Sequence, residues 1–248
     1  MVGAVLMSSV AKSSSSNLMR IITDFDGPIM DLSDRYYHVY QICLDKVKQP
    51  HQSITLLSKA TFWAYKQAQV PEQQVGIESG LNATQAEVFK QLRDIHAHQL
   101  QYLSFDRVVP GSIAALEQIQ AAGIELLVMT LRRTCELDPA FKQYDFARFF
   151  PPIHRYCLPD DYQKHCDIAA KTQLMAQALT EFQPEQNTWM IGDTEADIIA
   201  AKTYNIRVIG VLSGIRDRDR LEQYQPDKIV DNLADAVSFI FKQSTLHT

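Results

Sequence analysis

Between Ser33 and Phe105 the chain has no Val/Ile-rich strand run, yet strand-like runs stand on both sides of that stretch, and this asymmetry sets the architecture. On the N-terminal side, Ile21-Ile22-Thr23-Asp24-Phe25-Asp26-Gly27-Pro28 is a short apolar run ending in acids, a glycine and a proline. That is the pattern of a buried parallel strand reaching its C-terminal end. On the C-terminal side, after Pro110-Gly111, helix and strand alternate. Ser112 is expected to cap a helix bearing Ile113, Leu116 and Ile119, with Gly123 closing it, before a strand over Glu125 to Met129 that ends at Thr130. The alternation continues with a strand near Ile153 to Cys157, a helix near Asp167 to Phe182 and a strand over Thr188 to Ile191 that ends at Gly192-Asp193. A helix over Glu195 to Tyr204, a strand over Arg207 to Leu212, a brief strand over Lys228 to Val230 and a final helix over Ala234 to Lys242 complete it. Such alternation means βαβ units, so the expected fold class is α/β, a doubly wound parallel sheet with helices on both faces.

Within the strand-free stretch Gln, Lys and His abound, and apolar residues recur at helical spacing, as in Leu81 followed by Val88, Phe89, Leu92, Ile95 and Leu100. One strand precedes this helical segment and the others follow it, so it reads as an insertion into the α/β core. The expected division is a disordered tail over 1–18, a core formed by 19–33 with 106–248, and a helical insert over 34–105. A chain of 248 residues accommodates a core of about 150 residues plus such an insert. The start, Met1 to Leu6, lacks the basic n-region of a signal peptide and leads into Lys12 and a serine run, and Met7 and Met19 are alternative starts.

A net charge of -5 supplies no basic field for nucleic-acid phosphates. No apolar run approaches the roughly 18 residues that cross a bilayer, so no membrane partner is expected. Cys43, Cys135, Cys157 and Cys166 are widely spaced, without a C-x-x-C pair, which points away from a zinc ribbon or a disulfide framework and toward the cytoplasm. Oligomeric state is left open.

In open α/β sheets ligands bind outside the carboxyl ends of the strands, and three strand ends here carry notable groups. They are Asp24 with Asp26, Thr130, and Asp193 with Asp197. Asp24 and Asp26, two apart, share a strand face, and Asp197 lies one helical turn beyond Asp193. Four crowded carboxylates repel one another unless a cation is present, and hard oxygen ligands in that number suit Mg²⁺. Taken singly these residues have ordinary readings: turn formers at strand ends for the acids, a strand-terminal residue for Thr130, a solvated helix residue for a lone lysine. His96 and His98 lack metal-ligand spacing and are expected at the surface. His165-Cys166-Asp167 lacks the strand-turn-helix elbow of a nucleophile, and Phe62, Trp63 and Tyr65 read as packing inside the insert. No G-x-x-x-x-G-K-[ST], G-x-G-x-x-G or H-E-x-x-H is present.

Taken together, Asp24-Phe25-Asp26-Gly27, then Thr130, then a lysine, then Gly192-Asp193-Thr194-Glu195-Ala196-Asp197 resembles the four signatures of the haloacid dehalogenase-like (HAD) phosphatases over about Met19 to Lys242. The position of the insert is similar to that of the family's helical-cap subclass, which includes phosphoglycolate phosphatase-like enzymes and β-phosphoglucomutase. The resemblance implies a Rossmann-like core with an inserted α-helical cap. It makes Asp24 the nucleophile, Asp26 the general acid and base, and Thr130 a hydroxyl donor to the phosphoryl group. Asp24, Asp26 through its carbonyl, and Asp193 would hold Mg²⁺, with Asp197 in the same acidic set but positioning the loop or an outer-sphere water. Lys171 is favoured over Lys164 as the family's lysine. Thr172 departs from the proline common after that lysine, and Pro28 departs from the threonine common after D-x-D-G. Arg132 and Arg133, following Thr130, are candidates to bind a substrate's second anionic group. The implied function is Mg²⁺-dependent hydrolysis of a small phosphorylated metabolite through an aspartyl-phosphate, with a phosphomutase or a non-catalytic binding protein as alternatives.

Overall fold

The computed structural model describes residues 19–163, 165–182 and 187–245. In chain order the elements are β1 (Met19–Thr23), β2 (Met30–Asp31), α1 (Ser33–Val47), α2 (Lys59–Gln67), α3 (Glu72–Glu78), α4 (Ala83–His96) and a 3₁₀ segment (Leu100–Phe105). These are followed by β3 (Arg107–Val108), α5 (Ser112–Ala121), β4 (Glu125–Arg133), α6 (Thr134–Tyr144), β5 (Arg155–Leu158), α7 (Asp167–Glu181) and β6 (Asn187–Gly192). The chain continues through α8 (Glu195–Thr203), β7 (Arg207–Val211), α9 (Arg218–Glu222), β8 (Lys228–Val230) and α10 (Leu233–Thr245).

The main sheet has the order β5-β4-β1-β6-β7-β8, and every pairing in it is parallel. Alternation along β1 serves two cores at once. Ile21 packs with Phe25, Leu116, Phe141 and Ile240 on the face covered by α5, α6 and α10, while Ile22 packs with Met129, Met175 and Ile198 under α7 and α8. Burial on both faces explains why β1 reads as a continuous apolar run. The chain moves outward from β1 to β4 and β5, then returns to β6 on the other side of β1. This reversal opens a crevice at the carboxyl end of β1, where doubly wound sheets take their ligands.

The helices between β2 and β3 have a core of their own, built from Val39, Tyr40, Leu44, Phe62, Val75, Leu81 and Phe89. The chain enters and leaves this segment through an antiparallel pair, Met30 opposite Val108 and Asp31 opposite Arg107. Such a two-residue ribbon gives no periodic signal, and it was not legible in the sequence. Phe62 is fully buried, as expected of a packing residue, whereas Val88 and Ile95 are exposed, so α4 uses Ala86, Phe89 and Arg93 as its inner face.

Other details differ from the sequence reading. Gly111, at φ 86, takes the N-cap position of α5, and the Ser112 hydroxyl donates instead to the Pro28 carbonyl at 2.8 Å. The strand expected to end at Thr130 runs on to Arg133, with a register shift against β5 between Met129 and Arg133. That irregularity re-aims the residues after Thr130, as bulges beside functional sites do. Helices α6 and α9 were not anticipated. The expected tail over 1–18 and the alternative lysine Lys164 lie outside the described residues.

Candidate active site

Asp24 continues β1 past its last strand residue, its N–H donating to the Ile191 carbonyl at 2.8 Å. Burial follows from the sheet, and Asp24 is only 7% exposed. Its Oδ1 accepts from the Phe25 N–H at 2.6 Å, and its Oδ2 lies 2.9 Å from the Lys171 ammonium. Lys171, on the first turns of α7 and 1% exposed, also stands 2.9 Å from Asp197 Oδ1. A single buried ammonium therefore bridges two carboxylates from different strand ends, and their charges raise its pKa despite the opposing effect of burial. Asp197 is held by its own helix start, accepting at Oδ2 from the Thr194 N–H at 3.1 Å and hydroxyl at 2.7 Å.

Asp193 completes the cluster. Its Oδ2 accepts from the Ile215 N–H at 2.6 Å, while its buried Oδ1 has no hydrogen-bond partner among the described residues. Asp24, Asp193 and Asp197 each place a carboxylate oxygen within 4.8 Å of the others. Burial first, and then the charge of Asp197, push the Asp193 carboxyl up to about 7, and burial likewise raises Asp24 well above the usual carboxylate range. A buried acid group with an unpartnered oxygen and elevated pKa values is a donor set in want of a cation. All-oxygen donors of this charge fit Mg²⁺. Gly27, Gly192 and Gly214 press against this cluster, and a Cβ at any of them would overlap the carboxylate of Asp193 or Asp197.

The Asp26 side chain, expected as the general acid and base, stands outside the acid cluster. It turns away from the cluster into a fork with Arg132, whose Nε and Nη2 donate to Oδ1 at 2.9 and 2.6 Å. The reason is electrostatic: Arg132 offers Asp26 a counter-charge, whereas the cluster offers three like charges. The acids grouped within reach of one another are Asp24, Asp193 and Asp197. Arg132 itself is 5% exposed and also donates to Asp106 Oδ2 at 2.5 Å. Both of its sides are taken, so the role expected for it, binding a substrate anion, has no unpaired guanidinium to use. Asp106 in turn lies 2.9 Å from Arg35 Nε. Asp26, Arg132, Asp106 and Arg35 form an alternating chain of charges from the site to both ends of the helical insert. Asp106 and Arg35 were missed in the sequence because nothing local marks them.

Thr130, 1% exposed, accepts at its hydroxyl oxygen from the Arg132 N–H at 3.1 Å, leaving its proton to donate. A cavity of about 510 Å³ lies over Asp24, Thr130 and Lys171, roofed by Tyr36, Lys66 and His98 of the insert. His98 is exposed, as expected, but stands at the cavity wall.

A family model described as HAD-hydrolase-like matches residues 169–236, the segment holding Lys171, Asp193 and Asp197. The chain is 34% identical over 145 residues to pyrophosphatase PpaX of Anoxybacillus flavithermus, covering 58% of this chain and 64% of that protein. It is 25% identical over 128 residues to a phosphoglycolate phosphatase of Pseudomonas fluorescens, covering 51% and 44%. Both the matching model and the similar solved structures carry the name of the haloacid dehalogenase-like proteins, which the motifs of this chain resemble. The chain spans about half the length of the curated relatives it matches. Among solved structures, a haloacid dehalogenase-like hydrolase from Streptococcus pneumoniae shares the fold, with a TM-score of 0.63 at 19% identity over 90% of this chain and 98% of that one. In this chain the helical segment lies between β2 and β3. No helix of the described residues is long and apolar enough to cross a membrane.

Proposed function

We propose that the chain is a Mg²⁺-dependent phosphatase that moves the phosphoryl group of a small metabolite first to Asp24 and then to water. The observation that carries this reading is Asp24 at the cavity floor, at the end of the central strand, 2.9 Å from a buried ammonium and grouped with two further acids. Asp24, Asp193 and the Asp26 carbonyl would hold the metal, with Asp197 behind them on Lys171. When bound, Mg²⁺ neutralises charge on the phosphoryl group.

The chain's own residues account for the rest. An Asp24 oxygen attacks phosphorus as the bond to the leaving oxygen breaks, and that oxygen takes a proton from Asp26. Water then attacks the aspartyl-phosphate, gives its proton to Asp26, and Asp24 and phosphate are released. Thr130 donates to a phosphoryl oxygen, and Lys171 keeps Asp24 aimed. Burial favours the neutral form of Asp26, but the charge and hydrogen bonds of Arg132 outweigh it and hold the carboxyl below its usual range. The fork thus supports the base form of Asp26, and the acid form requires Arg132 to loosen. We take residues 34–105 as a cap that closes over this chemistry. The four free cysteines support a reducing, cytosolic setting.

The test is phosphate release from p-nitrophenyl phosphate. Asp24→Asn should lower kcat at least about a hundredfold with circular dichroism unchanged. Chelation should abolish turnover and Mg²⁺ restore it. Higher residual activity in the variant removes Asp24 as nucleophile, and full turnover without metal removes the cation.

A further inference from the structure

We propose that the leaving group of the substrate is neutral and rich in hydroxyls, so that the protein prefers monophosphates of small polyols or sugars. Substrates carrying a second anion beside the scissile phosphate, a carboxylate or a further phosphoryl group, are disfavoured. This rests on the phosphatase reading above and adds to it the chemistry of the departing half of the substrate. It also separates this chain from the two curated relatives described above, which are named for phosphoglycolate and for pyrophosphate.

The ground for it is the charge of the cavity wall. A pocket built for a second anion carries a cation with nothing else to hold. Here, among the described residues, every Lys and Arg that lines the cavity already has a carboxylate. Lys171, Arg132 and Arg35 are committed to the acids of the site and of the insert's ends. The other three stand around the space above the site. Lys66 lies 2.5 Å from Glu72, Arg133 lies 2.8 Å from Glu136, and Arg216 reaches both oxygens of Glu195 at 2.8 and 2.9 Å. The pairs of Lys66 and Arg216 are partly shielded, with side-chain exposures of 17 and 15% and of 17 and 20%, whereas Arg133 at 36% is open to solvent over a Glu136 that is 6% exposed. An entering anion would have to share a cation with a carboxylate that already engages it, as Lys171 and Arg132 are shared, and the negative charge of that carboxylate opposes the newcomer and weakens the contact relative to one with an unpaired cation. Discrimination by such a latent repulsion is a recognised source of specificity.

What the wall does offer is hydrogen bonding. The Tyr36 hydroxyl has no partner among the described residues, and its ring is fixed by the cations of Arg35, Lys66 and Arg93 at 5.4, 5.6 and 5.5 Å. Asp94 faces the cavity as a further acceptor. The Tyr36 hydroxyl can donate to or accept from a substrate hydroxyl, and the Asp94 carboxylate takes O–H donors, which a polyol supplies, while it repels a second anion.

The experiment compares kcat/KM of the full chain with Mg²⁺ on two sets of probes. Glycerol 3-phosphate, erythritol 4-phosphate and glucose 6-phosphate have neutral leaving groups. Phosphoglycolate, 3-phosphoglycerate and pyrophosphate carry the second anion, and p-nitrophenyl phosphate is the reference. The best neutral substrate should exceed the best anionic one by at least about tenfold. In Glu136→Gln, whose amide oxygen can still accept from the Arg133 N–H, the freed guanidinium should shift that ratio toward the anionic set by about tenfold. Anionic substrates equal to or better than neutral ones, with the reference turned over, would overturn the inference and leave the phosphatase reading standing. An unmoved ratio in a folded Glu136→Gln would also overturn it, because the paired charges would then not set the preference. No turnover of the reference by active-form protein with Mg²⁺ would take both readings down together.

Discussion

Three glycines do for the acid cluster what no larger residue can, which is to let backbone come within contact of a carboxylate. Gly27, at φ +87, and Gly214 both crowd Asp193, and Gly192 crowds Asp197. The Gly214-Ile215 segment also supplies the N–H that holds Asp193 Oδ2. Gly214→Ala should therefore displace Asp193 without disturbing the sheet. Its expected effect is a Mg²⁺ affinity at least about tenfold weaker by titration calorimetry, the usual scale for disturbing the support of a ligand. An unchanged affinity would mean that the loop has room to give. Asp24, Asp26, Asp193 and Asp197 could be picked from the sequence because members of each pair lie two or four residues apart at a strand end. Their division of labour could not, since it depends on which cation reaches which carboxylate.

Helices of the insert are joined by a buried charge centre as well as by their apolar faces. Glu72, at the start of α3, pairs with Lys66 of α2 at 2.5 Å and with Arg93 of α4 at 3.3 Å, and Arg93 is 1% exposed. Burial alone would raise the Glu72 pKa, but the charges of Arg93 and Lys66 outweigh it and lower it from the ordinary 4.5. A depressed native pKa contributes stability that is present above the unfolded value and is lost as pH falls through the native one. Thermal unfolding should show Glu72→Gln destabilised by about 3 kcal/mol at pH 7, because Arg93 loses its buried partner. The gap between variant and wild type should close as pH is lowered from about 5 toward 3. A gap that persists unchanged at low pH would indicate lost packing instead of lost charge. Arg93 itself sits on the inner face of α4, where the spacing of apolar residues had pointed to Val88 and Ile95.

At the scale of the whole molecule, the insert meets the core along two seams. One is the charge chain from Asp26 to Arg35, and the other joins the end of α2 to the loop after β7. There the Asp217 N–H donates to the Gln67 carbonyl at 3.2 Å, Gln67 Nε2 to Gly214 O at 3.0 Å, and Arg220 Nε to the Ala68 carbonyl at 3.0 Å. Asp106, 3% exposed between Arg132 and Arg35, is the hinge of the first seam. Asp106→Asn should cost about 3 kcal/mol in thermal unfolding, since two buried guanidinium groups lose a shared charge. It should also lower kcat on p-nitrophenyl phosphate by leaving Arg132 to Asp26 alone, which holds back the acid form of Asp26 further, and Asp106→Glu should recover part of that loss. Stability lost without any change in kcat would confine Asp106 to a structural role. The sequence alone determined the alternation of the main-sheet strands with most of their helices, the parallel sheet and the acids at the strand ends, because periodicity and turn chemistry act between near neighbours. Only the tertiary structure decided that Lys171 bridges Asp24 and Asp197, that Arg132 belongs to Asp26 and Asp106, and that the cavity's cations are already paired. Arg132 lies 106 residues from Asp26 and 26 from Asp106, and an ion pair depends on distance in space, which no local pattern along the chain encodes.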